Sequence, residues 1–268
     1  MKKLVAVTIA IILYQTTLGQ SESYQRIRIW MDHHSVAELA ATGIDLCESF
    51  CRKGVYYETD VSTDEWQRIR TAGFRTEVII NDVVRYYQGR NEQSGQRIQA
   101  VPYVCGATPD YPQPSNFNYG SMGGFLTYQE LLNTLDNMAT LYPNLITIKQ
   151  PINSQTTIEG RPVYWVKISD NPNTDEPEPE VLYTALHHAR EPNGMAALVY
   201  YMWYLLEHYA TDADIQQLVN NTEMYFVPCV NPDGYLYNET TDPAGGGMWR
   251  KNRRYNGNGT YGVDLNRN

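Results

Sequence analysis

One segment constrains the fold of this sequence more than any other: an apolar strand that leads through a short polar turn into a long apolar helix. The strand is predicted at residues 181–185 and the helix at about 193–209, with the sequence HHARE between them at 187–191. In open α/β sheets, functional residues lie just beyond the carboxyl ends of the strands. The segment therefore predicts an α/β protein with a site at this strand end.

The composition is typical of a secreted globular protein. The 268 residues are 42% hydrophobic and carry a net charge of −9, with 22 tyrosines against 5 phenylalanines. This much apolar surface can form a core, which excludes a wholly disordered chain. Nonspecific binding to nucleic acid depends on basic residues, so we expect no nucleic-acid partner for an acidic chain.

The N-terminus has the pattern of a secretory signal peptide over residues 1–19. Two lysines precede an apolar run at 4–13, and the small residues Thr17 and Gly19 follow it. The apolar run is much shorter than the roughly 20 residues of a membrane-spanning helix. We expect cleavage before Gln20, a secreted or periplasmic location, and no membrane association of the mature chain.

Residues 20–105 are predicted to form a small α/β unit. Strands are indicated at 26–31, 55–58 and 77–80, and helices at 35–41 and 62–73. Ser62 and Glu65 have the spacing of a capping box, in which each side chain binds the other residue's backbone N–H. Residues 88–125 are rich in Gln, Asn, Ser, Gly and Pro, so we expect a linker or irregular loop there, and we place the linker itself at 106–125.

A second unit is predicted from residue 126 onward. Thr127 and Glu130 form another capping box, and Leu131, Leu135 and Met138 follow at helical spacing. Further strands are indicated at 146–149, 163–169, 181–185 and 224–227, and further helices at 193–209 and 212–219. Strands that alternate with helices predict a layered α/β fold.

The four cysteines do not indicate a disulfide scaffold. They are too few for that role in a chain of this length, and their positions are Cys47, Cys51, Cys105 and Cys229. Free thiols and a single bridge both remain compatible with the sequence.

Polar motifs follow the predicted strands in a definite order. His188 and Glu191 are three residues apart, which is a workable spacing for two ligands of one metal ion. Alone, such a pair is more often two solvated polar groups. Three further motifs accompany it, and they are NPDG at 231–234, WRKNR at 249–253 and DLNRN at 264–268.

This order of motifs resembles the zinc metallocarboxypeptidases, the family of pancreatic carboxypeptidase A and bacterial carboxypeptidase T. The resemblance covers residues 117–268, and the segment 120–124 is similar to the bacterial branch. It implies a three-layer α/β/α fold with a mixed central sheet, in which residues 126–268 form the N-terminal part of the catalytic domain. Residues 20–105 are similar in kind to the family's pro-segment, which implies a zymogen.

The resemblance also implies a zinc site. His188 and Glu191 match two ligands of one Zn²⁺ ion, and Asp264 matches the carboxylate that orients the ligand histidine. Such a carboxylate fixes the tautomer of the ring and its direction.

Four further residues match positions that bind or stabilise the substrate. Arg253 matches the arginine that stabilises the oxyanion of the scissile carbonyl. Asn266 and Arg267 match the pair that holds a free C-terminal carboxylate, and Arg190 matches an accessory arginine. The implied substrate is therefore the C-terminus of a peptide or protein, and we expect a monomeric enzyme.

Three residues that the family's chemistry requires have no match among these 268. They are a histidine that is the third zinc ligand, a glutamate that activates the bound water, and a tyrosine near that glutamate. No histidine follows His208, and the predicted helix places His208 roughly 25 Å from Glu191. We therefore expect a fragment of a longer gene product, with its sheet cut short and without activity by itself.

Two other interpretations stay open. One is a noncatalytic secreted protein that binds peptides through the carboxylate clamp without a metal. The other is a related zinc amidase or deacylase, although the Asn266–Arg267 pair favours a substrate with a free carboxylate.

Overall fold

The computed structural model describes residues 23–46, 49–93, 111–257 and 260–267. The predicted signal peptide and Gln20 lie outside these ranges, as do Cys47 and Cys105. Of the other two cysteines, Cys51 is exposed and Cys229 is buried, and both are free thiols. The described residues form two units, each with its own sheet and hydrophobic core.

The N-terminal unit is a four-stranded antiparallel sheet with three helices. Its elements are β1 (Tyr24–Trp30), α1 (Val36–Ala40), β2 (Phe50–Arg52), β3 (Tyr56–Ser62), α2 (Thr63–Thr71), β4 (Arg75–Ile80) and α3 (Val83–Gln93). The strand order is β2-β3-β1-β4. Residues of β1 alternate between buried and half-buried, as the sequence predicted, and Ile27 and Ile29 enter a core with Leu39 and Ile69.

Two elements of this unit were not predicted from the sequence. The strand β2 is short, and its three residues are exposed. The helix α3 corrects the expectation that residues 88–93 belong to a linker. The polar composition of α3 gives little sign of a helix in the sequence. At the start of the helix, Asp82 accepts a hydrogen bond from the N–H of Arg85 (2.9 Å). Further along, the Tyr87 hydroxyl accepts one from the Arg26 side chain of β1 (2.7 Å). Contacts with β1 therefore stabilise a helix that has little apolar periodicity.

The second unit contains a four-stranded mixed sheet. Its elements are α4 (Tyr128–Leu141), β5 (Gln150–Pro151), β6 (Tyr164–Ile168), β7 (Glu180–Thr184), α5 (Pro192–His208), α6 (Ala213–Val219), β8 (Glu223–Val227) and α7 (Pro232–Thr241). The strand order is β5-β6-β8-β7, with β6 antiparallel and β7 parallel to β8. The helices α5 and α6 make the crossover that a parallel pair requires.

One prediction for this unit needs correction, and one helix was missed. Residues 146–149 do not form a continuous strand. Ile146 makes only an isolated bridge to Ile168, and the residues that pair with β6 as a strand are those of β5, Gln150–Pro151. The helix α7 was not predicted after the NPDG motif. It begins because Pro232 fits the first turn and the Asn231 side chain accepts a hydrogen bond from the N–H of Gly234 (3.1 Å).

The helix α5 lies in the core, as its apolar sequence predicted. Its buried residues include Met195, Val199, Met202, Trp203 and Leu206. They pack with residues of β6 and β8 in one cluster. Among the helices of the described ranges, each is too short or too polar to cross a bilayer.

Candidate metal and substrate site

The candidate site lies where the parallel strands β7 and β8 end. Beyond the strands the two backbones stay paired, because the N–H of Val230 donates to the carbonyl of Ala185 (3.0 Å) and the N–H of Asn231 donates to the carbonyl of Leu186 (3.0 Å). The turn at 187–191, which follows β7, therefore lies against the NPDG motif, which follows β8. Carboxyl ends of parallel strands are the usual location of sites in such sheets.

The turn begins at a strained residue. Leu186 has a φ of 54°, in the left-handed region that bulky side chains rarely adopt, and such a conformation costs about 1–3 kcal/mol. Two backbone hydrogen bonds fix the turn that follows. The N–H of Ala189 donates to the carbonyl of Arg250 (2.9 Å), and the N–H of Glu191 donates to the carbonyl of His188 (3.1 Å). The fold thus holds the turn in one conformation at a local energetic cost.

His188 and Glu191 face each other across this turn. Nδ1 of His188 lies 2.8 Å from Oε1 of Glu191. The ring is buried, whereas the Glu191 side chain is 48% exposed, so the pair opens to solvent on the carboxylate side. A neutral imidazole has one donor and one acceptor nitrogen, so at this distance either Nδ1–H donates to the Glu191 carboxylate or a metal cation takes the place of that proton. Both are ligand types that zinc takes, and the donor set therefore fits Zn²⁺.

Asp264 holds the other side of the His188 ring. Nε2 of His188 donates to Oδ1 of Asp264 (2.9 Å), and this carboxylate also accepts from the N–H of Asn266 (2.9 Å) and from Nε of Arg250 (3.2 Å). Partial burial alone would raise the pKa of Asp264, but these hydrogen bonds outweigh burial and lower the pKa to about 2. Asp264 is therefore ionised at neutral pH, so it accepts a hydrogen bond from Nε2–H and favours the tautomer in which the Nδ1 lone pair is available to a metal ion.

Arg250 is a residue of this site to which sequence reasoning gave no role. It is only 7% exposed, and its guanidinium group lies among three carboxylates. NH2 is 2.6 Å from Oδ2 of Asp45, Nε is 3.2 Å from Oδ2 of Asp264, and NH1 is 3.6 Å from Oε1 of Glu191. Its place inside the WRKNR motif was the only signal in the sequence. Asp45 belongs to the N-terminal unit, which therefore reaches the candidate site.

The substrate-binding residues predicted at the last motif lie beside this cluster. Asn266 and Arg267 are exposed, and NH1 of Arg267 donates to the carbonyl of Asn266 (2.7 Å). NH2 of Arg267 lies 3.7 Å from the same Asp45 oxygen that pairs with Arg250. Arg190 is half-buried within the turn between the two candidate ligands.

Arg253 occupies a different environment from the other predicted site residues. Its guanidinium carbon lies 3.7 Å from the ring centre of Tyr237, 4.3 Å from that of Trp249 and 5.2 Å from that of Tyr261. Nε is 3.8 Å from Oε1 of Glu159. Aromatic faces attract a cation, so Arg253 belongs to a second group of contacts, distinct from the carboxylates around Arg250.

The NPDG motif anchors this second group. Asp233 is 2% exposed, and its carboxylate accepts hydrogen bonds from Oγ1 of Thr157 (2.7 Å), NH1 of Arg161 (2.7 Å) and the N–H of Glu159 (3.1 Å). Arg161 also pairs with Glu159 (2.6 Å), the residue beside Arg253. The motif was visible in the sequence, but nothing there indicated which loop Asp233 binds.

Comparison with known proteins identifies the family. A family model described as zinc carboxypeptidase matches residues 131–268, about half of the chain. The chain belongs to this family. A zinc carboxypeptidase from Saccharothrix mutabilis subsp. capreolus is 37% identical over 145 residues, which cover 54% of this chain and 32% of the relative. Carboxypeptidase A2 from Rattus norvegicus is 32% identical over 154 residues, which cover 57% of this chain and 34% of the relative. The chain thus spans about a third of the length of these carboxypeptidases.

Two solved structures share the fold. Carboxypeptidase A from Helicoverpa armigera superposes with a TM-score of 0.60 at 22% identity, covering 93% of this chain and 58% of that one. Thrombin activatable fibrinolysis inhibitor gives a TM-score of 0.58 at 20% identity, covering 92% of this chain and 59% of that one. The predicted fold class, a mixed α/β/α domain preceded by a small α/β unit, is confirmed.

Proposed function

We propose that the protein is a secreted zinc-dependent carboxypeptidase that removes C-terminal residues from peptides or proteins. The observation that carries this proposal is the arrangement at the end of β7. Nδ1 of His188 and Oε1 of Glu191 are 2.8 Å apart, and Asp264 holds the opposite nitrogen of the ring. Membership of the zinc carboxypeptidase family supplies the reaction class.

The residues of the site have complementary roles in this proposal. A bound zinc ion supplies Lewis-acid polarisation of the scissile carbonyl and a water molecule of lowered pKa. Asp264 keeps the His188 ring in the tautomer that directs Nδ1 at the metal position. Arg253 stabilises the charge that develops on the carbonyl oxygen, and a preorganised donor of this kind typically contributes about 3–4 kcal/mol.

The substrate's free carboxylate is recognised by Asn266 and Arg267, with Arg190 as an accessory cation. A guanidinium group suits this task because it binds a carboxylate with two parallel hydrogen bonds. The contact between Arg267 and the carboxylate of Asp45 supports this role, because Asp45 presents the same chemical group that a substrate C-terminus would.

The same contact leads us to propose that the protein is made as a zymogen. Asp45 belongs to the N-terminal unit and is within ion-pair distance of both Arg250 and Arg267. Gln88 of the same unit donates a hydrogen bond to the carbonyl of Gly245 (3.0 Å), in the loop that leads to Arg250. The N-terminal unit, residues 20–105, would thus act as a pro-segment that competes with substrate.

The 268 residues by themselves contain two of the three protein ligands that catalytic zinc normally takes. We propose no ligand role for His208, which lies at the last turn of α5 and stacks on Tyr204 (4.2 Å between ring centres). We therefore expect these residues alone to bind zinc weakly and to be inactive. We also propose export directed by residues 1–19, a secreted or periplasmic location, and a monomeric state.

The test is an assay of the protein expressed from its complete coding sequence. We expect release of C-terminal amino acids from a peptide mixture, which a chelator abolishes and zinc restores. His188→Ala should remove activity and zinc binding, whereas His33→Ala, at an exposed histidine of the N-terminal unit, should change neither.

The alternatives give different results in the same assay. A noncatalytic peptide-binding protein would bind peptides with a free C-terminus without releasing amino acids. A zinc amidase or deacylase would hydrolyse substrates that have no free carboxylate at least as well as those that do. Either result would overturn the carboxypeptidase proposal.

A further inference from the structure

A single buried guanidinium group connects three separate parts of the molecule. Arg250 contacts Asp45 of the N-terminal unit, Asp264 that holds the His188 ring, and the candidate ligand Glu191. The same oxygen of Glu191 faces Arg250 at 3.6 Å and His188 at 2.8 Å. Arg250 therefore lies between the N-terminal unit and the metal pair, in contact with both.

The backbone of Arg250 is tied to the same site. Its carbonyl accepts the hydrogen bond from the N–H of Ala189, the residue that follows His188. Arg250 thus has little freedom to move relative to the turn. A planar guanidinium group can donate hydrogen bonds to carboxylates on several of its edges at once, whereas the compact ammonium group of a lysine cannot.

We propose that Arg250 is a positioning residue that couples the N-terminal unit to zinc binding. Arg250 fixes Asp264 through an ion pair, and Asp264 in turn fixes the His188 ring. Asp45 offsets part of the Arg250 charge and thereby determines how strongly that charge attracts Glu191. The inference rests on the proposed function, since it assumes that His188 and Glu191 hold the metal.

The sign of the coupling follows from the charges. The positive charge of Arg250 repels a metal cation and attracts the Glu191 oxygen that the cation needs. Asp45 neutralises part of this charge from the opposite edge of the guanidinium group. Removing the Asp45 charge should therefore weaken zinc binding, by about tenfold for a partly buried pair at this separation.

Reciprocity gives a second expectation. If Asp45 increases the affinity for zinc, then zinc must increase the affinity of the N-terminal unit for the catalytic unit by the same factor. Backbone amides of the N-terminal unit that face the loop around Gly245 should exchange more slowly when zinc is bound.

The experiment is a double-mutant cycle on the protein expressed from its complete coding sequence. Zinc affinity is measured by competition with a chromophoric chelator for wild type, Asp45→Asn, Arg250→Lys and the double variant. We expect each single substitution to lower the affinity about tenfold, because contacts that orient a ligand typically contribute 10- to 100-fold. In the Arg250→Lys background, Asp45→Asn should have an effect of less than about threefold, because a single ammonium group cannot contact Asp45 and Glu191 together.

Matched variants separate this effect from general destabilisation. Asp64→Asn lies at an exposed position of the same N-terminal unit, and Arg254→Lys is exposed in the same loop as Arg250. Both should leave zinc affinity unchanged. Thermal unfolding of every variant is recorded, and if Arg250→Lys does not fold, Asp45→Asn together with the exchange measurement tests the inference.

The possible failures are distinguishable. If His188→Ala does not reduce zinc binding by the wild type, the proposed function fails and this inference fails with it. If His188→Ala abolishes zinc binding but Asp45→Asn changes the affinity by less than twofold, only the coupling through Arg250 is wrong. Strictly additive effects in the cycle would also overturn it.

Discussion

Nε2 of His188 lies 2.9 Å from Oδ1 of Asp264, although the two residues are 76 positions apart in the sequence. The ring nitrogen on one side is thus committed to a carboxylate, and the nitrogen on the other side faces Glu191. The strand end supplies the histidine, and the last motif, which folds back over the turn, supplies the carboxylate. This contact joins the separate motifs of the sequence into one candidate metal site.

The first prediction concerns this contact. Asp264→Asn should lower zinc affinity about 10- to 100-fold, because a neutral amide holds the imidazole N–H less strongly and also loses the attraction to Arg250. Zinc affinity of the protein, measured by chelator competition, checks it. Asp214→Asn, at an exposed position of α6, is the control. Equal affinities for both variants would contradict the role given to Asp264.

The second prediction concerns a buried ion pair in the sheet. Nζ of Lys167 lies 2.6 Å from Oε1 of Glu223, and the two side chains are 4% and 0% exposed. Lys167→Met should destabilise the protein by about 3–5 kcal/mol, because it leaves a buried carboxylate without its cation. Adding Glu223→Met should recover most of this loss, which urea unfolding can measure. A double variant as unstable as the single one would show that the pair itself is required.

Local sequence signals predicted the fold well where secondary structure depends on nearby residues. The capping boxes at Ser62 and Thr127 are both present, with the side chains of Glu65 and Glu130 reaching back as expected. The apolar stretch of α5 is buried, and the strand at 181–185 is β7 with a shift of one residue. These features need only residues that are adjacent along the chain.

Features that depend on distant residues were missed. The helix α3 is stabilised by contacts with β1, and no periodicity in its own sequence reveals it. The three carboxylates around Arg250 come from residues 45, 191 and 264. The aromatic surroundings of Arg253 likewise join α7 to the loops around Trp249 and Tyr261. Long-range contacts of this kind are set by the packing of the whole fold.

The third prediction concerns the glycine of the NPDG motif. A Cβ atom at Gly234 would lie 2.5 Å from the carbonyl oxygen of Lys251 and 2.8 Å from Cβ of Ala189, inside the turn of the candidate site. Gly234→Ala should therefore cost about 1–3 kcal/mol and shift the turn. The control is Gly194→Ala in α5, where the new Cβ meets only Ala185 at 3.5 Å. It should be neutral or stabilise by up to about 1 kcal/mol in urea unfolding.

An identical loss of stability in the two glycine variants would contradict this steric argument. The measurement should include zinc affinity, because Ala189 lies between the two candidate ligands. We expect Gly234→Ala to weaken zinc binding and Gly194→Ala to leave it unchanged.

The fourth prediction concerns pH and the attachment of the segment around residue 115 to α5. The carboxylate of Glu207 accepts hydrogen bonds from the N–H groups of Ser115 (2.6 Å) and Asn116 (2.8 Å) and from the Asn116 side chain (2.9 Å). Partial burial alone would raise the pKa of Glu207, but these hydrogen bonds outweigh burial and lower it below its usual value. A carboxyl group whose pKa is lower in the folded state stabilises the protein above its unfolded-state pKa, and this stabilisation is lost as pH falls through the folded-state pKa.

Glu207→Gln should therefore destabilise the protein by about 1–2 kcal/mol at pH 7, where the carboxylate is charged in both states. The difference from wild type should shrink as the pH falls below about 4.5, because protonation removes the same interaction from the wild type. Urea unfolding of both proteins between pH 7 and pH 3 measures this difference. Gln216→Glu, which adds a carboxylate on α6, is a control for the general effect of charge. A difference between wild type and Glu207→Gln that stays constant over this range would show that the charge of Glu207 does not hold the segment.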